Sequence, residues 1–221
     1  MRKIIAVLFA LVCFAPAHAQ KSLLLRDPLP VPAAAPSTTT WDSSNAAAKI
    51  TVSNGAGLTA TQTGASGGFN SVKSVASHSS GKFCFQVHAD VVTSTWMIGM
   101  GNATESLTNF PGNDNNGFGA TSDGKIWYNG ANPTTTNPSF VTGNTVIECV
   151  DITNALVWIQ VNGGNWNAGG SANPATGVGG IALTSVALAS GPFFAMGMFA
   201  AQNDANTITT ISSLPSGFGN W

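Results

Sequence analysis

Glu148 and Asp151 are the first pair in this sequence to suggest acid–base chemistry. A glycosidase needs two such carboxylates facing each other across a cleft. On one straight strand, residues three apart point to opposite faces, so this pair is not expected to converge. Downstream of the N-terminal segment, the histidines are His78 and His88. Gly64-Ala65-Ser66-Gly67-Gly68 has the letters of a nucleophile elbow, but no apolar strand enters it and no helical pattern follows, so it reads as a polar turn. Cys84 with His88 lacks the further ligands of a compact zinc centre. Asn113-Asp114-Asn115-Asn116 offers oxygen atoms in a short loop without the charge or order of a calcium-binding loop. Gly119 to Gly124-Lys125 has phosphate-loop spacing with Ile126 in place of the hydroxyl residue, and Gly177 to Ala182 loosely echoes a dinucleotide fingerprint without a βαβ context. The inventory predicts no catalytic residue, no metal and no cofactor.

What remains is recognition. Two stretches rich in Asn and Gly, residues 102–116 and 162–173, read as exposed loops on a rigid scaffold, where sequence is free to vary without disturbing a core. Asn102, Asn113, Asp114 and Asn115 are the candidate ligand residues of the first, and Asn162, Asn165, Trp166 and Asn167 those of the second. An indole face with amides beside it suits a neutral carbohydrate; the competing reading packs Trp166 against the edge of the scaffold. Of Trp127 and Tyr128, one side chain is expected in the core and the other outside.

Strands must position these loops. Phe83, Phe85 and Val87 share one face of a period-two segment, and Val157, Ile159 and Val161 share one face of another, with Trp158 and Gln160 opposite. Further apolar runs surround Trp96 and Ile98 and occupy residues 181–189 and 193–199. Turn signals separate them at Asn54-Gly55, Gly67-Gly68, Asn129-Gly130 and Gly163-Gly164. No stretch has a long 3.6-residue period, and the Ala-rich residues 45–49 allow at most one helical turn. The pattern predicts an all-β antiparallel sandwich.

The ends and the charge set the compartment and narrow the partners. Arg2 and Lys3, then an apolar run over residues 4–14, then Ala17-His18-Ala19, predict a signal peptide over residues 1–19 and export to the periplasm or the cell exterior. Residues 20–40, with Pro28, Pro30, Pro32 and Pro36, read as a spacer. Residues 41–221 form one candidate domain, long enough to bury roughly 70% of its unfolded surface. After residue 19, six Lys or Arg face nine Asp or Glu, and the cations are scattered, which argues against nucleic acid. No later segment is apolar enough to span a membrane. Charged residues make up only 8% of the chain, a surface that suits an extracellular protein meeting neutral, hydroxyl-rich ligands.

Read in order, several segments resemble the SPRY (B30.2-like) family, in particular its bacterial and phage-type members. Ser79-Ser80-Gly81-Lys82-Phe83-Cys84-Phe85-Gln86-Val87 is similar to the strand beginning "SGKWYWEV", and Ile98-Gly99-Met100-Gly101 to the following "IGI" strand. Residues 143–151 stand where the family has "GDVIGVAVD". Val157-Trp158-Ile159-Gln160-Val161-Asn162-Gly163 with Trp166 stands where it has "LWFSKNG…W". Pro192-Phe193-Phe194 and Leu214-Pro215-Ser216-Gly217-Phe218 resemble its closing motifs. Asn144 and Glu148 depart from the pattern, and an inward-pointing Glu148 would need partners or a raised pKa.

The resemblance implies a concanavalin-A-like jelly roll and a lectin-like or protein-interaction module. The partner is a protein or a neutral glycan. A structural or adhesive surface component is the alternative, and a glycoside hydrolase of the same fold group a further one, although the carboxylate pattern of related glucanases, E-x-D-x-x-E, is missing. The resemblance also places Cys84 and Cys149 on strands of the sandwich body. Alternation sets Cys84 opposite the Phe85 face and Cys149 with Ile147 and Asp151, so two unpaired thiols are expected; a bond requires neighbouring strands and a shared face.

Overall fold

The computed structural model describes residues 39–53, 57–65, 68–131, 137–183 and 191–221. The expected signal peptide, the spacer up to residue 38 and the Asn54-Gly55 turn lie outside the described residues, as does most of the apolar run 181–189.

Fourteen strands are described: β1 (Trp41–Ala46), β2 (Ile50–Ser53), β3 (Thr59–Gln62), β4 (Asn70–His78), β5 (Lys82–Val91), β6 (Trp96–Asn102), β7 (Gly117–Thr121), β8 (Ile126–Tyr128), β9 (Thr145–Asp151), β10 (Leu156–Val161), β11 (Ile181–Ala182), β12 (Phe193–Phe199), β13 (Ala205–Thr209) and β14 (Gly219–Asn220). One sheet has the order β1-β4-β12-β6-β7-β8, and the other β11-β10-β9-β5-β13-β3-β2, with β14 beside the start of β5. Every pairing is antiparallel except β14 with β5. The described helix is confined to two short 3-10 turns, Trp166–Ala168 and Pro174–Thr176. Asn45 and Ala46 are strand rather than helix.

The period-two pattern builds the interior. Ile98 and Met100 of β6, Phe118 of β7 and Phe193 and Phe199 of β12 meet Phe85 and Val87 of β5, Val146 and Val150 of β9 and Val157 and Ile159 of β10. Burying each such side chain contributes about 1.5–3 kcal/mol. Two tight turns rely on Asn-Gly backbones in the left-handed region: Asn129-Gly130 at φ 52° and 67°, and Asn162-Gly163 at φ 51° and 70°. In each, the N–H of the following residue closes the turn onto Tyr128 or Val161.

The expectation of two unpaired thiols is overturned: Cys84 and Cys149 form a disulfide. Alternation does point both away from the main core. But β5 and β9 are direct neighbours, Cys84 lies opposite Cys149, and their Cα atoms are 4.1 Å apart. Outward on the same sheet means together. The bond is the floor of a second, smaller core on the outer face of the eight-stranded sheet, with Trp158, Ile211 and Phe218 packed over it. Closing 65 residues of chain contributes about 4 kcal/mol by restricting the unfolded state.

The same register turns Glu148 inward between Phe85 and Ile159. Its carboxyl is fully buried, and neither oxygen has a hydrogen-bond partner among the described residues. Burial raises its pKa well above the usual value, so the group is held as the neutral acid.

Because the folded pKa of Glu148 is raised, its contribution is intact below pH 4.5 and is lost as pH climbs toward the folded value, at about 1.4 kcal/mol per pH unit. Urea melts of Glu148→Leu are expected to lose that slope and to exceed wild type in stability at pH 8. Cys149→Ala is expected to lower unfolding free energy by about 2–4 kcal/mol, and non-reducing peptide mapping of the wild type to return one Cys84–Cys149 cross-linked peptide.

Candidate binding site

Glycines decide how the outer face of the six-stranded sheet is covered. Gly99 and Gly101 of β6 and Gly117 and Gly119 of β7 lie side by side in register. A Cβ on Gly101 would sit 2.6 Å from Cγ of Glu105, and one on Gly119 would sit 2.8 Å from the Pro111 carbonyl oxygen. Without side chains at these positions, residues 103–116 lie directly on the sheet. Lys73 of β4 fastens this loop, donating from Nζ to the carbonyls of Ala103 at 3.2 Å and Glu105 at 2.9 Å. The Ser71 hydroxyl donates to the Asn109 carbonyl at 2.9 Å.

Glu105 is the loop's plug. It is only 3% exposed, and its Oε2 has no hydrogen-bond partner among the described residues. Burial raises its pKa to about 8; the nearby Asp114 carboxylate adds to the rise and Lys73 opposes it. Two carboxylates share a hydrogen bond only when one of them holds a proton, so the protonated Glu105 is the donor to Asp114. Burial in turn lowers the pKa of Lys73, partly offset by Glu105.

At the edge of this cover a groove of about 310 Å³ opens between the loop and the β7–β8 hairpin. Phe69, Phe110 and Trp127 line it over Met97, with Phe110 edge-on to both other rings at centroid distances of 5.2 and 5.5 Å. All three rings are half-exposed. Thr121, Asp123 and Lys125 form the rim, and Lys125 Nζ donates to Asp123 at 2.6 Å. Hydrogen bonds from Lys125 and Thr121 hold the Asp123 carboxyl below its usual pKa. Tyr128 packs against the core while Trp127 faces the groove.

The sequence-predicted residues fall into two groups. Asn113, Asn115 and Asn165 are exposed, and Trp166 is half-buried against the disulfide core. The others are engaged by the fold. Asn102 is buried, its Oδ1 accepting from the N–H groups of Thr104 and Glu105. Asp114 accepts from the N–H and the amide of Asn116, both at 2.8 Å. Asn162 accepts from the Thr145 N–H, and the Asn167 amide bonds to Ile159, Val157 and Gly179. Sequence reasoning missed Lys73, Glu105 and the aromatic groove. Phe69, Phe110 and Trp127 are far apart in the chain, and only the strand order brings them together.

The reactive groups do not converge. Glu148 is sealed in the core, whereas Asp151 is paired with Lys82 at 3.2 Å. His88 Nδ1 meets Asp90 at 2.7 Å, and Asp90 also accepts from Thr207; His78 stacks on Phe83 and is pushed by burial below its usual pKa. Among the described residues, no three His, Cys, Asp or Glu side chains cluster to hold a metal. No described helix is long and apolar enough to cross a membrane.

The Glu105 plug yields a pH signature. Its raised pKa keeps the hydrogen bond to Asp114 intact below pH 8, and the bond is lost as pH rises through that value and two charges oppose each other. Hydrogen exchange, corrected for intrinsic rate, is expected to show protection of residues 103–116 falling between pH 7 and 9. In Glu105→Gln, protection is expected to vary little over the same range.

No protein-family model matches this sequence, and no curated protein matches it. Solved structures do match in shape. The SPRY domain of human HERC1 aligns with a TM-score of 0.60 at 15% identity, covering 79% of this chain and 99% of that one. The TRIM65 PSpry domain aligns with a TM-score of 0.55 at 12% identity, covering 77% and 90%. A further human SPRY domain aligns with a TM-score of 0.52 at 15% identity, covering 75% and 98%. At such identities the likeness concerns architecture, and it agrees with the motif order read from the sequence: this chain folds as a SPRY-like β-sandwich.

Proposed function

We propose that this chain is an exported, non-catalytic module that binds an extended segment of a partner protein in the Phe69–Phe110–Trp127 groove. The observation that carries the reading is the groove itself: three half-exposed aromatic rings over Met97, with an ion pair on the rim. Aromatic anchors of this kind supply most of the energy of protein recognition, because they bury large area at low entropic cost. Trp127 stands on β8, Phe69 at the entry to β4 and Phe110 on the loop fastened by Lys73, so the site is organised before the partner arrives. A SPRY-like fold fits, since that family consists mostly of protein-interaction modules. A buried disulfide favours an oxidising compartment, in keeping with the signal-like N-terminus.

Selection from a displayed peptide library with the exported protein is the test. Peptides with an apolar or proline anchor are expected to be enriched, and Trp127→Ala is expected to weaken the best of them at least 30-fold, a hot-spot loss of about 2 kcal/mol. Enrichment of nothing, or peptides indifferent to Trp127→Ala and Phe110→Ala, would overturn the reading.

A further inference from the structure

A second recess lies on the other side of the sandwich. Gln160 and Trp158 point to the outer face of the eight-stranded sheet, and beside Gln160 a groove of about 320 Å³ is lined by Trp166, Asn173, Ser213, Leu214 and Pro215. From this groove and its chemistry we infer that the chain carries a site for a neutral saccharide, with Trp166 as the stacking platform. The inference is independent of the protein-binding groove, which is built from different residues on the opposite outer face.

The groups present match a polyol. None of the lining residues is charged. Trp166 packs partly on the disulfide core and leaves the rest of its indole to the groove, where the apolar C–H face of a sugar ring can stack. Gln160 uses its Nε2 to donate to the Gly164 carbonyl at 2.8 Å, which leaves Oε1 as an acceptor. Asn173 uses its Oδ1 to accept from the Ala175 N–H at 2.9 Å, which leaves Nδ2 as a donor. Ser213, exposed on the facing segment, offers a hydroxyl that does both. One indole, one acceptor, one donor and one hydroxyl suit sugar hydroxyls, each of which both gives and receives a hydrogen bond.

The platform is held in place. Asn167 and Ala168, next to Trp166, have φ of 48° and 52°, and the Asn167 side chain fixes this unusual backbone. Its Oδ1 accepts from the Ile159 N–H at 2.8 Å, and its Nδ2 donates to the carbonyls of Gly179 at 2.8 Å and Val157 at 3.2 Å. Trp158 Nε1 donates to the Val178 carbonyl at 3.0 Å and ties down the segment that follows Asn173. The contacts of Asn167 also fill the Ile159 N–H, just past the short pairing of β10 with β11, and the Val157 carbonyl at the end of that pairing. A peptide strand pairing there would have to displace the Asn167 amide, whereas a saccharide in the groove would not.

The full exported chain, printed against an array of neutral hexose and N-acetylhexosamine oligosaccharides and followed by titration calorimetry on the hits, tests the inference. Saturable binding is expected, reduced at least tenfold by Trp166→Ala and unchanged by Trp127→Ala. Because Trp166→Ala removes packing from the disulfide core, Ser213→Trp provides a second variant: it fills the groove from an exposed position and is expected to abolish binding without lowering the melting temperature. Absence of saturable binding up to about 10 mM sugar, or binding that survives Ser213→Trp, would overturn it. Failure at this site leaves the peptide result at Trp127 untouched, and the reverse also holds.

Discussion

The register between β5 and β9 is the constraint on which the rest of this molecule depends. Cys84 faces Cys149 across the two strands, and their bond removes any freedom to slip. Because side chains alternate strictly, fixing that pair outward fixes Phe85, Val87, Val146 and Val150 inward, and it sends Glu148 inward with them. A one-residue shift would bring the carboxyl out but turn every valine and phenylalanine of both strands with it. The fold therefore tolerates one neutral acid among apolar neighbours, since the alternative exposes the whole face.

Both outer faces are covered, and each cover is built differently. On the six-stranded sheet the four glycines of β6 and β7 form a trough, and the loop that fills it is held by Lys73 and by the Glu105 plug. On the eight-stranded sheet the cover is a small core in its own right, centred on the disulfide and Trp158. Each groove occurs where a cover stops short: the aromatic one beside Phe110, and the polar one beside Trp166. Sites at such margins gain rigidity from packing on one side and access to solvent on the other.

The architecture is largely legible from alternation. Phe85 and Val87 opposite Cys84, and Trp158 with Gln160 opposite Val157, follow from spacing alone, as do the Asn129-Gly130 turn and the order of motifs. Strand adjacency is not legible, which is why spacing alone keeps the cysteines apart. The asparagines show a different limit. An amide that would hydrogen-bond a ligand is equally able to satisfy the chain's own N–H groups, and sequence does not say which it does. Asn102, Asn162 and Asn167 serve the backbone, whereas Asn113 and Asn165 are exposed. The aromatic groove is invisible in the sequence for a topological reason, because its three rings come from the approach to β4, the covering loop and β8.

The Asn167 amide also bears on how copies of this chain coexist. A sheet edge with unoccupied N–H and C=O groups is a template on which another molecule can add a strand, and then another. Along β10 those positions at Ile159 and Val157 are already taken by one side chain, which stands in for a neighbouring strand without being extendable. The chain carries few charges to keep copies apart by repulsion. In such a protein, colloidal stability at high local concentration rests less on electrostatics than on capped edges, and a single amide from the turn after β10 supplies one of those caps.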